Sequence, residues 1–338
     1  MSRRVLVTGG GGVVGGAVVR ALLARGDRVR SLARGDYPRL RAFGVETVRG
    51  DVADLGAVER AVDGCDAVVH TAAKADMTLD PHPFVATNVV GTANVLAACR
   101  RRGVPRLVHT STPSVVHAGT SIAGGDESLP YADHYDAPYP ATKARAEQLV
   151  LAANGDGLAT VALRPHLVWG PGDTQLTARV LDRARAGRLR LVDHGRAVVD
   201  ATFIDDAAAA HVGALDALDA PDAPGRRPVT GRAFFIASGH PLPIATMVNG
   251  LLGAAGLPPE RRSVPFGVAL AAGVACEALW RATRRTSEPP ITRFLARQQA
   301  TDHWFDLTAA RRDLGFEPRV APDAGFERLA AALQVNAG

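Results

Sequence analysis

The sequence predicts an α/β fold: a doubly wound parallel sheet with helices on both faces and a smaller, mostly helical region toward the C-terminus. Three observations predict it. Short apolar runs bounded by turn residues recur along the first half, helical patterns fill the gaps between them, and a glycine-rich turn follows the first run directly.

The apolar runs are Val5–Val7, Val29–Leu32, Val45–Val48, Ala67–His70, Leu107–Thr110 and Thr160–Leu163. Between them the helical stretches Gly15–Arg25, Leu55–Val62, Asn88–Arg101 and Tyr139–Ala153 supply the crossovers that parallel strands require. After Arg164-Pro165 the alternation breaks, and Trp169-Gly170-Pro171-Gly172-Asp173 reads as a loop leading into a short helix near Gln175–Ala186. A strand at Ala201–Ile204 and a helix at Asp205–Leu218 are expected to return to the main body, followed by a linker rich in Pro, Gly and Arg at Asp219–Arg232. The expected division is a dinucleotide-binding unit over 1–165 and about 200–238, and a substrate-binding region over about 166–199 and 239–338. The apolar stretch Phe266–Trp280, interrupted by Glu277, is too short to span a bilayer. It suits a packing helix, a lid over a long-chain ligand, or a shallow membrane contact.

Composition excludes several classes. Of 338 residues 47% are hydrophobic and 22% charged, which rules out a disordered chain or a coiled coil. The net charge of +5 comes from scattered arginines without a basic stripe, so no nucleic-acid partner is expected. Cys65, Cys99 and Cys276 form no CxxC pair, and His70, His82, His109, His117, His194 and His240 lack metal-ligand spacing; a reducing compartment and no metal are expected. The first strand is entered at Arg3, so no signal peptide and a cytoplasmic protein are expected.

The turn after the first strand reads Thr8-Gly9-Gly10-Gly11-Gly12-Val13-Val14-Gly15. Strand, glycine turn and helix N-terminus together aim backbone N–H groups at a pyrophosphate. In this Rossmann arrangement Gly9 permits the tight turn, Gly12 the approach of the phosphates, and Gly15 close packing of helix on strand. The second strand ends Ala33-Arg34, with no carboxylate for the ribose hydroxyls and a guanidinium suited to a 2′-phosphate, so NADP(H) is expected over NAD(H). The alternative is that Asp36 turns inward for NAD(H). Asp51 and Val52 after the third strand, and Ala72 and Ala73 after the fourth, are expected beside the cofactor.

Tyr139 and Lys143 stand four residues apart on one helix face. An ammonium beside a phenol favours phenolate, and is expected to bring the Tyr139 pKa from about 10 toward neutrality. The chain has only two lysines, Lys74 and Lys143, against 37 arginines, so a lysine here marks a place where arginine would not serve. Thr110, Ser111, Thr112 and Ser114 cluster at the C-terminal edge of the sheet, where α/β ligands bind.

This combination resembles the extended short-chain dehydrogenase/reductase family over essentially the whole chain. The resemblance implies that Thr112 is the catalytic hydroxyl, that Tyr139 is the acid/base, and that Lys143 holds the nicotinamide ribose. It also implies that Asn88 supports the site and that Pro165, His166 and Leu167 contact the nicotinamide amide. Threonine at 112 replaces the commoner serine, leaving Ser111 and Ser114 as competitors. Residues 33–54, 70–76, 109–117, 137–154 and 162–173 resemble the 3β-hydroxysteroid dehydrogenase-like group, and within it the branch acting in bacterial olefin and β-lactone pathways. That implies NADPH-dependent reduction of a lipid-like 2-alkyl-3-keto acid to the 2-alkyl-3-hydroxy acid, by a possible homodimer or a complex with pathway enzymes.

For the substrate carboxylate the candidates are Lys74, which otherwise contacts the cofactor or backbone, and His166; for an apolar cavity the candidate walls are Trp169, Leu176, Phe266, Leu270 and Trp280. A 3β-hydroxysteroid or sterol-4-carboxylate 3-dehydrogenase shares the same residues. A sugar-nucleotide epimerase or reductase rests on Arg179, Arg293 and Arg297, and a non-catalytic NADP sensor has no need of the Tyr139–Lys143 pair.

Overall fold

The computed structural model describes residues 2–220 and 225–335. The first half runs β1 (Arg4–Thr8), α1 (Val13–Ala24), β2 (Arg28–Ala33), α2 (Pro38–Ala42), β3 (Glu46–Arg49), α3 (Leu55–Val62) and β4 (Ala67–His70). Next come α4 (Pro81–Phe84), a π-helical turn (Val85–Val90), α5 (Gly91–Arg102), β5 (Arg106–Thr110), β6 (Ile122–Gly125), α6 (Pro138–Ala152) and β7 (Ala159–Pro165). The second half runs α7 (Thr177–Arg185), β8 (Leu191–Val192), β9 (Val198–Val199), α8 (Ile204–Asp219), β10 (Arg232–Ile236), β11 (Leu242–Pro243) and α9 (Ile244–Ala254). It ends with β12 (Ser263–Val264), α10 (Phe266–Ala282), α11 (Arg293–Gln298), β13 (His303–Phe305) and α12 (Pro322–Val335).

Seven parallel strands form the main sheet in the order β10-β7-β5-β4-β1-β2-β3. Val5, Leu6, Val7, Val68, Val69, Leu107 and Val108 are fully buried, because helices cover both faces. Residues of α1 and α8 share one apolar cluster on one face, and residues of α3 and α5 share a second on the other. The strand order reverses between β1 and β4, where Thr8 and His70 stand opposite each other at the strand ends. Such a switch point opens a crevice at the C-terminal edge of a sheet.

Two expectations change. Ala201–Ile204 forms no strand of the main sheet; Thr202 and Ile204 donate backbone bonds to His166 and Trp169, and Phe203 makes one bridge to Trp169. The strand that rejoins the sheet is β10, beside β7, starting at the last residue of the expected linker. Within that linker 221–224 lie outside the described residues, while Arg227 N and Arg232 Nη1 donate to the buried Asp313 at 3.1 and 2.8 Å. Trp169 is no cavity wall: it is 2% exposed and packs edge-on against Phe203, with Phe326 on its other flank at 4.8 Å.

The second region is mostly helical, as expected, with α7, α9, α10, α11 and α12. It carries a four-stranded sheet, β11-β9-β13-β6, that borrows β6 from the first half. Among the described residues no helix is long and apolar enough to cross a membrane.

Candidate active site

The glycine turn is shaped by close approaches. Gly9 has φ +72°, and a Cβ there would lie 2.9 Å from Ala72 Cα; a Cβ on Gly15 would lie 2.3 Å from the Gly9 carbonyl oxygen. Gly12 caps α1 without a side chain, and the first turn holds no acidic residue, so the N–H groups of this helix end are left for an anion. Val13 and Val14 follow half-buried. These residues fit a dinucleotide pyrophosphate: the turn is bare where side chains would obstruct it and positive where charge is needed. The Tyr37 ring lies over Gly11, where a Cβ would meet its Cζ at 2.3 Å.

Arg34 is exposed, and no ion pair engages it among the described residues. Asp36 is held by Arg41 through two hydrogen bonds, which keep its carboxyl below the usual carboxylate range. Asp51 accepts from Ala53 N at 3.0 Å, and Asn94 fastens this loop through the Val52 and Ala53 carbonyls. After β4, Ala72 N donates to Thr8 Oγ1 at 3.2 Å, Ala73 is exposed, and Lys74 is clamped by Asn88. Asn88 Oδ1 accepts from Lys74 N at 2.8 Å, while Nδ2 donates to Lys74 O and to Thr142 Oγ1, both at 3.0 Å, tying this loop to α6. The Lys74 ammonium pairs with Asp76 at 2.5 Å, so its charge is already answered within its own loop.

Thr112 stands two residues beyond β5, and Tyr139 is the second residue of α6. Thr112 Oγ1 donates to Ser114 Oγ at 3.2 Å, so Ser114 supports Thr112, and Ser111 Oγ is buried without a hydrogen-bond partner among the described residues. Burial pushes the Tyr139 phenol above its ordinary pKa, and the neighbouring Thr112 hydroxyl opposes the rise. This corrects the expected fall. Lys143 lies on the same helix but directs its ammonium to the Thr110 carbonyl at 2.5 Å and to His109 Nε2 at 3.2 Å. His109 is buried, and burial holds its pKa well below the ordinary histidine value, so the neutral ring accepts from Lys143. Burial lowers Lys143 itself to about 8, and Glu147, one turn further along α6, pulls it back up.

A family comparison matches residues 6–266 to the 3-beta hydroxysteroid dehydrogenase/isomerase family. The chain belongs to that family. Its members are NAD(P)-dependent oxidoreductases of the extended short-chain type. Among relatives, a 2-alkyl-3-oxoalkanoate reductase of Stenotrophomonas maltophilia is 50% identical over 97% of this chain and 99% of its own length. One of the same name from Shewanella oneidensis is 42% identical over 97% and 85%. A 3 beta-hydroxysteroid dehydrogenase/Delta 5→4-isomerase of Mycobacterium tuberculosis is 37% identical over 93% and 86%. Among solved structures, gox2253 superposes with a TM-score of 0.79 at 26% identity, covering 99% of both chains. A UDP-glucuronic acid 4-epimerase from Bacillus cereus in complex with NAD shares the fold, with a TM-score of 0.74 at 21% identity over 98% and 99%.

In this 3-beta hydroxysteroid dehydrogenase/isomerase family member the segment after β7 is locked. Pro165 pairs with Ile236 on β10, and His166 N donates to the Ile236 carbonyl at 3.0 Å. His166 meets the Asp200 carbonyl through Nδ1 at 2.6 Å and His303 through Nε2 at 2.9 Å, so neither ring nitrogen is open to a substrate carboxylate. Leu167 sits in the left-handed region at φ +41°, a strain of about 1–2 kcal/mol for a residue with a Cβ.

Two supporting residues carry no motif. Tyr37 is visible only through the turn it covers. Glu147 was accessible to helix arithmetic, since it follows Lys143 by four residues on the buried face of α6. Arg179 pairs with Glu288, and Arg293 and Arg297 with Asp136.

The pH profile follows from Lys143. Protonated below about 8 and neutral above, it should make kcat/KM fall on the alkaline side with a midpoint near that value. Because the folded pKa lies below the unfolded one, Lys143 costs stability below about 8, and that cost vanishes as pH rises toward the ordinary lysine value. An alkaline limb at the ordinary lysine value would detach Lys143 from the profile.

Proposed function

We propose that this enzyme uses NADPH to reduce the ketone of a 2-alkyl-3-keto acid, giving the 2-alkyl-3-hydroxy acid, a conversion used in long-chain olefin or β-lactone formation. The observation that carries the chemistry is the placing of the Thr112 hydroxyl, just beyond β5, beside the phenol of Tyr139 near the start of α6, with Lys143 one helical turn further on. The substrate class is supported by the two 2-alkyl-3-oxoalkanoate reductase relatives.

Bound at the glycine turn, the nicotinamide cofactor supplies hydride. Tyr139 donates its proton to the substrate oxygen, and Thr112 hydrogen-bonds that oxygen as charge develops on it. Lys143 holds the ribose side of the cofactor, with its ammonium oriented by the Thr110 carbonyl and His109. The raised phenol pKa suits an acid, because the proton is present throughout the neutral range. Asn88 acts indirectly, by fixing Lys74 to Thr142 on α6. Asp51, Val52, Ala72 and Ala73 border the cofactor, and the described residues of 166–199 and 239–338 form the substrate-binding region.

Arg34 selects the phosphorylated cofactor. Asp36, the carboxylate that would favour NAD(H), is committed to Arg41. NADPH and NADH consumption by the purified protein with a synthetic 2-alkyl-3-keto acid tests both parts. Turnover is expected with NADPH, and Arg34→Ser should cut the NADPH-over-NADH preference by about tenfold to a hundredfold, the worth of a charge-assisted phosphate contact. An unchanged preference would remove Arg34 from this role. Inactivity on the keto acid together with oxidation of a 3β-hydroxysteroid would overturn the substrate assignment.

A further inference from the structure

Tyr139 and Thr112 belong to separate stretches of chain, and the distance between them is set by whatever joins those stretches. From Thr112 the chain passes through a short turn, Pro113–Val115, to Gly119; toward Tyr139 it comes in through Tyr131–Asp136. Two bonds tie these stretches together: the Tyr135 hydroxyl donates to the Val115 carbonyl at 2.8 Å, and Ala132 N donates to the same oxygen at 3.0 Å. A third tie comes from far along the chain.

Arg297 on α11 reaches the Asp136 carboxylate through Nη1 at 2.9 Å, three residues ahead of Tyr139. The stem of the same side chain crosses Gly119, where φ is +85° and a Cβ would lie 2.8 Å from Arg297 Cδ. Thr301, just past α11, gives its proton to the Arg297 carbonyl at 2.8 Å and therefore accepts from His117 Nε2 at 3.1 Å. One helix end thus grips both stretches. Its own position comes from the second region, because Ala296 is fully buried in a cluster with Ala269 and Val192. Arg293 is no substitute: its Nη1 stands 3.8 Å from Asp136, and Glu277 holds its Nε at 3.0 Å.

We propose that Arg297 is a positioning residue for the reaction, fixing the spacing of the Thr112 and Tyr139 stretches from outside the site. It acts through Asp136 and Gly119 rather than on the reacting atoms. The phenol and the threonine hydroxyl have to meet one substrate oxygen together, and a misplacement of about 1 Å costs on the order of a hundredfold in rate. At 28% and 12% exposure Arg297 and Asp136 still meet solvent, so the pair adds little to stability and its loss reads in rate. The proposal rests on the roles given above to Tyr139 and Thr112, and not on which substrate is turned over.

Arg297→Gln, Asp136→Asn and the double variant test it, assayed on the keto acid or, where that is inert, on a 3β-hydroxysteroid. Each single variant is expected to lose about tenfold to a hundredfold in kcat, and the double no more than either single, since both remove one contact. With the hydride donor deuterated at the transferred position, the isotope effect on kcat should reach its full size, because misplacement slows the chemical step itself. Cofactor affinity and the urea midpoint should stay at their wild-type values, and Arg297→Lys, which keeps the charge without the planar fork, should recover part of the rate. Wild-type kcat in Arg297→Gln beside an impaired Tyr139→Phe overturns this proposal alone, whereas an unimpaired Tyr139→Phe removes the catalytic reading and the proposal with it. Losses that multiply in the double variant, an isotope effect that shrinks as kcat falls, or a rate loss matched by a lower urea midpoint also overturn it.

Discussion

Tyr139→Phe is expected to lower kcat for reduction by about 10²- to 10⁴-fold, the usual contribution of a positioned general acid, with cofactor affinity changed little. The substitution deletes one hydroxyl and keeps the ring. Tyr139 follows Pro138 at the start of α6, and its half-buried side chain lies beside Thr112, two residues beyond β5. On the proposed mechanism the deleted atom is therefore the proton donor itself rather than part of the packing. Steady-state kinetics with cofactor binding measured separately distinguishes the cases. A kcat within a few-fold of wild type would place the proton on another group, and a matching loss of cofactor affinity would make Tyr139 a binding residue.

The second large effect is on stability. Glu147→Ala should cost about 3–5 kcal/mol, read from urea unfolding, because it strands a buried guanidinium. Glu147 is fully buried on α6 and meets Arg164 of β7 through Nη2 at 2.6 Å and Nε at 3.0 Å. The Tyr131 hydroxyl donates to the same carboxylate at 2.8 Å. Arg164 Nη1 has no partner among the described residues, and the guanidinium otherwise lies over the Phe235 and Tyr131 rings. Replacing Glu147 and Arg164 together by methionine should recover much of the loss, since a buried pair of charges gains little over well-packed apolar groups. Glu147 also raises Lys143, so the single variant should move the alkaline limb of activity below about 8. A stability loss under about 1 kcal/mol would show that the pair holds nothing together.

Much of the main sheet was legible because its strands are buried on both faces and read as unbroken apolar runs. Ala67–His70 and Leu55–Val62 fall where the pattern put them. What stayed hidden depends on partners far along the chain. β10 sits behind arginine, proline and glycine, and Phe234 and Phe235 become a strand only through pairing with Leu163 and Arg164. Trp169 looked available to a ligand because the ring that covers it belongs to Phe326. In the site, four-residue spacing placed Tyr139 and Lys143 on one helix face. It did not show that the ammonium would find the Thr110 carbonyl, which is why burial governs the phenol. Lys74 was legible as a rare residue but not as half of a local ion pair.

The expected helix at Asn88 begins earlier, because α4, the π turn and α5 run on without a break. A π turn carries one residue more than its α-helical equivalent, which shifts the apolar phase and hides the upstream part from a periodicity search. That extra residue works as a spacer. Deleting one position between Val85 and Val90 would restore a regular helix, locally the better structure, yet swing one half by about 100° against the other. Phe84 lies under the Lys74 ammonium on one side of the turn, and on the other Thr92 bonds His70 while Gly91 packs on Val52. No single rotation of an unbroken helix serves both ends. The chain therefore tolerates a wound defect in its backbone, and its length in this stretch is fixed more tightly than its side chains.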